Sequence, residues 1–153
     1  MGRANEFGEP VELEAGGRTV AITNPNKLMF PPNEYTGDGV TKLELAQYYL
    51  AVGEPLMRWI HDRPVLLERY PEGVRGDSFY QKRIPASAPD WLATTTVQTI
   101  NGTSSRALVI ASLAEVVWAV NMGVLGLHVW QYRVDQPQWA DELRIDLDPS
   151  PGQ

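Results

Sequence analysis

Two carboxylates two residues apart, Asp146 and Asp148, stand near the end of this 153-residue chain in the run Asp146-Leu147-Asp148-Pro149-Ser150-Pro151-Gly152. The residues around them alternate polar and apolar, Arg144-Ile145-Asp146-Leu147-Asp148, which predicts a half-buried strand over Leu143 to Leu147. Residues two apart in a strand project from one face, so both carboxylates would point the same way. Two such charges ~6 Å apart repel by roughly 3 kcal/mol at an effective dielectric of ~20. A shared hard cation removes that cost, and carboxylate oxygens are the ligands that Mg²⁺ or Mn²⁺ prefers. The same run also suits a strand that simply stops in a solvated, Pro- and Gly-rich turn. Both readings stand at this point.

The elements that must position these residues belong to one domain, since 153 residues suffice for one real core and not for two of ordinary size. Apolar residues make up 43% and charged residues 21%, ordinary values for a globular protein. No run of 18 apolar residues and no signal-peptide pattern occurs, so no membrane role is expected. The absence of cysteine excludes disulfides and thiolate metal sites and fits a cytoplasmic location. A net charge of −6 argues mildly against a nucleic-acid partner. The charges are segregated, however. Asp135 to Asp148 holds five acids against Arg144 alone, while Arg58 to Arg83 holds six bases against Asp62, Glu68, Glu72 and Asp77. Ordinary solvated faces would give the same pattern.

Met1 to Gly17 is polar and without period, which reads as a flexible tail or an edge addition, leaving 18–153 as the domain. A short strand is expected over Thr19 to Thr23. Thr41 with Glu44 has the spacing of a capping box and opens a helix whose apolar stripe is Leu45, Tyr49, Val52, Leu56 and Trp59; Gly53 and Pro55 should kink or split it. Pro64 to Tyr70 and Ser78 to Arg83 read as strands, and Thr96 to Ile100 with Arg106 to Ala111 as a hairpin about Asn101-Gly102. Ser112 with Glu115 caps a second helix that Gly123 stops, and Gly126 to Tyr132 is a further strand. The result is an α+β class with a mixed, largely antiparallel sheet and two main helices. Trp59, Trp91, Trp118 and Trp139 are assigned to packing.

Seven separate stretches occur in an order that resembles one family: Thr23-Asn24-Pro25-Asn26-Lys27, Thr41-Lys42, Arg63-Pro64, Glu68-Arg69-Tyr70-Pro71, Phe79-Tyr80-Gln81-Lys82, Leu127-His128-Val129-Trp130 and Asp146 to Gly152. Together they resemble the polymerase domain of bacterial DNA ligase D and its stand-alone relatives, in the archaeo-eukaryotic primase superfamily. The resemblance implies addition of ribo- or deoxyribonucleotides to DNA ends in non-homologous end joining, with Mn²⁺ or Mg²⁺. By position it implies that Asp146 and Asp148 are catalytic metal ligands and that Lys27 and Lys42 hold the 5′-phosphate of a DNA end. It likewise implies that Phe79 and Tyr80 lie by the template, that Lys82 and His128 line a nucleoside triphosphate pocket, and that Arg69 sits on a strand lining it.

Physics is compatible with these roles. A lysine offers a compact, movable cation to a terminal phosphate. Phe79 and Tyr80 are neighbours in a strand and face opposite sides, so one is expected in the core while the other is free to stack on a base. His128, in an apolar strand, also suits a hydrogen-bonded structural histidine. Glu68 departs from the family, where that position is often Lys, and receives no role.

The resemblance also implies a Ser-x-Ser-Lys-Gly-type phosphate-binding segment with a nearby His, and a third acid on a later strand. Neither is found in these residues, so the expectation is an incomplete primase-polymerase fold, active only if another chain complements it and inactive alone. Two other functions compete with this one. The first is a non-catalytic module that binds DNA ends through their 5′-phosphate; the second is a protein-interaction remnant that uses an uncovered sheet edge at Leu143 to Leu147.

Overall fold

The computed structural model of the chain describes residues 6–98 and 101–150. In chain order the elements are β1 (Val11–Ala15), β2 (Arg18–Ile22), β3 (Leu28–Phe30), β4 (Val40–Thr41), α1 (Lys42–Ala51), α2 (Gly53–Ile60), β5 (Pro64–Arg69), β6 (Phe79–Gln81), β7 (Thr94–Gln98), β8 (Ser104–Val109), α3 (Leu113–Asn121) and β9 (Val124–Val129). The α+β class with a largely antiparallel sheet is borne out.

The main sheet is built around β5. On one side β5 pairs antiparallel with β9 from Val65↔Val129 to Arg69↔Val124. On the other, β8 pairs with its first residues and β6 with its last three, and β7 extends the sheet beyond β8. Every strand pair in this sheet is antiparallel. Val65 and Leu67 point into the core with Leu108, while Leu66 and Glu68 point out of the opposite face. Helix α3 fills the core side with Val116, Val117 and Val120 at helical spacing.

The two capping boxes form as the spacing predicts. Thr41 and Glu44 close α1, and Ser112 and Glu115 close α3, the Glu115 carboxylate accepting from the Ser112 backbone N–H at 2.8 Å. Gly123 follows α3 at φ +76°, and Gly102 turns the β7–β8 hairpin at φ +75°. The long helix splits at Val52 into α1 and α2, and Ile60 rather than Trp59 is buried at its end. Trp59 and Trp139 are both exposed, which corrects their assignment to packing; Trp118 is buried. Residues 99 and 100, in the expected Thr96 to Ile100 strand, lie outside the described residues. So do residues 1–5 of the expected tail and Pro151-Gly152. Within that tail, Val11–Ala15 forms a strand, because its backbone completes a ladder with Arg18–Ile22.

The strand expected over Leu143 to Leu147 is not formed. Residues 142–150 have no regular structure, and Leu143, Ile145 and Leu147 are exposed. Alternation makes a strand only where a neighbour completes the backbone ladder, and no described strand pairs with this segment. Side chains hold its start instead. The Arg63 side chain, 2% exposed, donates from Nε to the Trp59 carbonyl at 2.8 Å and from NH1 to the Trp130 carbonyl at 3.1 Å, and its NH2 lies 2.7 Å from Asp141 Oδ1. Arg133 Nε reaches Asp141 Oδ2 at 2.9 Å, and Arg144 contacts Glu142 and the Val129 carbonyl.

Burial alone would raise the Asp141 pKa, but hydrogen bonds and charge from Arg63 and Arg133 outweigh it and hold the carboxyl below the ordinary range. Its folded pKa is depressed, so its contribution to stability is present above the unfolded value and is lost as pH falls through the folded one. Two outcomes are expected from urea unfolding. Arg63→Met loses about 2–4 kcal/mol by stranding Asp141 and two carbonyls. Asp141→Asn flattens the decline in unfolding midpoint between neutral pH and the acid range; an unaltered acid profile would refute the role given to this carboxylate.

Candidate functional site

Register and alternation place three of the sequence-identified residues on the open face of the main sheet. Glu68 on β5 is opposite Tyr80 on β6 and opposite Gly126 on β9, while Leu66 is opposite His128. Lys82 follows two residues after Tyr80. On the same face a groove of about 490 Å³ is lined by Leu66, Lys82, Val97, Ser105, Ala107 and Trp130, among others. Lys82 is therefore a wall of the groove, and His128 stands beside Leu66 at its margin.

His128 is partly exposed and is held by a close set of contacts. Its Nε2 lies 2.9 Å from Glu68 Oε2, and the Tyr70 hydroxyl donates to Glu68 Oε1 at 2.8 Å. Tyr80 meets the imidazole edge-on with ring centroids 5.5 Å apart. The hydrogen bond from His128, then that from Tyr70, holds the Glu68 pKa below its ordinary value, against a smaller opposing effect of burial.

Arg69 and Phe79 are opposite each other in register, on the other side of the sheet. Arg69 donates from Nε to the Met122 carbonyl at the end of α3 and from NH1 to Gln81 Oε1, both at 2.8 Å, and its guanidinium lies over the Phe79 ring at 5.2 Å. The side chain expected to line the nucleotide pocket is thus spent on tying β5 to α3 and β6. Phe79 and Tyr80 are both exposed, at 47% and 59%, so neither is the core residue that alternation predicts. Strand β6 is a three-residue edge strand, and its Phe79 meets the Arg69 guanidinium rather than an apolar core.

Lys27 and Lys42 come together, because the Lys42 backbone N–H donates to the Lys27 carbonyl where α1 begins beside β3. The two ammonium groups have different surroundings. Lys27 Nζ pairs with Glu72 Oε1 at 2.9 Å and lies 5.7 Å from the centre of the Phe7 ring. Lys42 is 6% exposed, and its Nζ donates to the Thr23 carbonyl at 2.9 Å and to the Asn121 carbonyl at 3.2 Å. Burial, then the Lys27 charge, lowers its pKa. It fastens the end of β2 to the C-terminal end of α3, where a cation is favoured.

Asp146 and Asp148 are exposed on the segment without regular structure. Among the described residues, no group of three or more His, Cys, Asp or Glu side chains is placed to hold a metal ion. The donor chemistry of the pair still suits a hard divalent ion, since Mg²⁺ is commonly held by one or two carboxylates plus phosphate oxygens and water.

Sequence reasoning missed Arg63, Tyr70, Glu72 and the part played by Glu68. One signal for Glu68 was present, a glycine inside the strand Val124–Val129, because such a glycine often marks a close approach. A Cβ built at Gly126 would lie 2.6 Å from Glu68 Oε2.

With this geometry in place, comparison with known proteins is informative. Residues 41–153 match the model of the LigD primase-polymerase domain. The chain is 33% identical over 135 residues to a multifunctional non-homologous end joining protein LigD of Mycolicibacterium smegmatis, covering 87% of this chain and 17% of that protein. It is 32% identical over 128 residues to a bifunctional non-homologous end joining protein LigD of Bacillus subtilis, covering 84% of this chain and 19% of that protein. Among solved structures it matches the polymerase domain of Mycobacterium tuberculosis ligase D in complex with DNA, with a TM-score of 0.67 and 32% identity, over 74% of this chain and 38% of that one. The chain thus spans less than a fifth of those two LigD relatives, and by the family model and by identity it belongs to the LigD primase-polymerase domain family.

Proposed function

We propose that this chain supplies the template- and nucleotide-facing part of a primase-type polymerase that adds nucleotides to DNA ends during non-homologous end joining. The observation that carries the proposal is the placement of Lys82, a wall of the groove, on the same sheet face as the contacting pair His128 and Tyr80. Lys82 and His128 present a cation and an imidazole suited to a triphosphate. Tyr80 offers an exposed ring on which a base can stack, a contact worth ~1–3 kcal/mol. Phe79, on the opposite side of β6, offers a second such ring.

Asp146 and Asp148 are the residues proposed to hold Mn²⁺ or Mg²⁺, which neutralises phosphate charge when bound. In phosphoryl transfer the protein's work is positioning and electrostatic stabilisation. Arg63 and Arg144 fasten the start of the segment that bears both acids, at Asp141 and Arg144, beside the end of β9. A third acid and a further phosphate clamp are part of this reading, whether they reside on the same polypeptide or on a partner chain carrying the C-terminal half of such a domain. Without them the expected activity is negligible.

A second reading is supported by Lys27, namely recognition of the 5′-phosphate at a recessed DNA end without catalysis, with the buried Lys42 holding the elements beside it. Lys27 is the more accessible ammonium of the two, and the exposed Glu72 is the partner that a phosphate would displace.

Two measurements test these proposals. Nucleotide incorporation on gapped, 5′-phosphorylated DNA with Mn²⁺, with the remaining half of a ligase D polymerase domain supplied in trans, should fall about a hundredfold or more in Asp146→Ala and Asp148→Ala. Incorporation equal to wild type would refute their assignment. In a binding titration, Lys27→Ala should lower the preference for 5′-phosphate over 5′-hydroxyl ends by about three- to tenfold. Lys42→Met should also lower the melting temperature, because its ammonium holds two carbonyls. Equal binding of both ends by the wild-type chain would refute the end-recognition reading.

A further inference from the structure

The contact between Glu68 and His128 has the makings of a constructed site. A carboxylate is acceptor-only, so the ring nitrogen facing it, Nε2, must carry a hydrogen. The other ring nitrogen, Nδ1, has no partner among the described residues. The Glu68 carboxylate is itself fixed, because its second oxygen accepts from the Tyr70 hydroxyl. Tyr80 restricts the ring from a third direction. Gly126 leaves the space through which the carboxylate reaches the imidazole, since a Cβ there would lie 2.6 Å from Glu68 Oε2 and 2.9 Å from His128 Nε2. Three side chains, Glu68 and Tyr70 from the C-terminal end of β5 and Tyr80 from β6, and the missing side chain of Gly126 on β9 set the surroundings of one imidazole.

We propose that Glu68 is a positioning residue for His128, holding the ring as its Nε2–H form and leaving Nδ1 as the atom offered to a nucleoside triphosphate. The proposal rests on the reading of the groove as a nucleotide site and adds to it a residue outside the family pattern. The titratable groups around the ring are Glu68, Tyr70 beyond the end of β5, and Tyr80 on β6, with Lys82 farther along the same face.

The chain has only two histidines, His61 and His128, so the ring nitrogens of His128 can be followed by nitrogen-15 NMR and assigned with His128→Asn. The neutral form of the wild-type ring should be the Nε2–H tautomer. In Glu68→Ala the ring loses the acceptor that selects one nitrogen, and its neutral form is expected to become a mixture of the two tautomers. Glu68→Gln conserves size and can still accept from Nε2–H, so it should keep the tautomer. Gly126→Ala leaves the charge in place but displaces the carboxylate, and should behave as Glu68→Ala does. The same tautomer population in the wild type and in Glu68→Ala would overturn the proposal.

The underlying nucleotide reading is separated from this by titrating magnesium-free ATP. His128→Ala should weaken ATP binding, and Glu68→Ala should weaken it by about three- to tenfold near neutral pH. Unchanged ATP binding in His128→Ala would remove the nucleotide role, whereas the positioning of the ring stands or falls on the NMR result.

Discussion

Strand β5 is paired on both sides, and the rest of the molecule is arranged by that constraint. Its backbone groups are committed to β9 on one flank and to β8 and β6 on the other. The strand therefore cannot slide by one residue without exchanging Val65 and Leu67 for Leu66 and Glu68 in the core. That exchange would bury a carboxylate and expose two large apolar side chains. The register is thus fixed by hydrophobic burial, and it is the register that brings Glu68, His128 and Tyr80 to one place.

The basic residues between Arg58 and Arg83 are less available to a polyanion than their number suggests. Arg63 is buried against two carbonyls and Asp141, and Arg69 is committed to the end of α3 and to Gln81. Outside this stretch Lys42 is likewise committed to two carbonyls. These cations hold elements together by satisfying backbone acceptors that would otherwise be buried without partners. What remains exposed to a ligand is Arg75, Lys82 and Arg83 from this stretch, with Lys82 at the groove, and Lys27 behind its exposed Glu72 partner.

The two candidate regions are joined by the chain that leaves β5. After Tyr70 it turns through Gly73, whose lack of a side chain lets it pass close to the Leu28 and Met29 carbonyls, and Val74 bonds to Met29. Glu72 in this turn meets Lys27, while Glu68 three residues before Pro71 meets His128. A single strand and its turn thus carry one acidic residue to each region.

The sequence by itself determined the local features, because these depend on residues close together in the chain. Both capping boxes, the split of the long helix near Gly53, the Asn101-Gly102 turn, the stop at Gly123 and the strands at Pro64–Arg69 and Phe79–Gln81 follow from spacing and turn chemistry. The order of seven short stretches was also sufficient to identify the family. Tertiary structure alone decided what depends on distant partners. It left Leu143 to Leu147 without a strand, because alternation cannot supply a ladder. It exposed both Phe79 and Tyr80, because an edge strand can outrun its core, and it turned Lys42 and Arg69 inward, because their acceptors are carbonyls 79 and 53 residues away. Glu68, which the sequence left without a role, acquired one only when β9 placed a glycine and a histidine beside it.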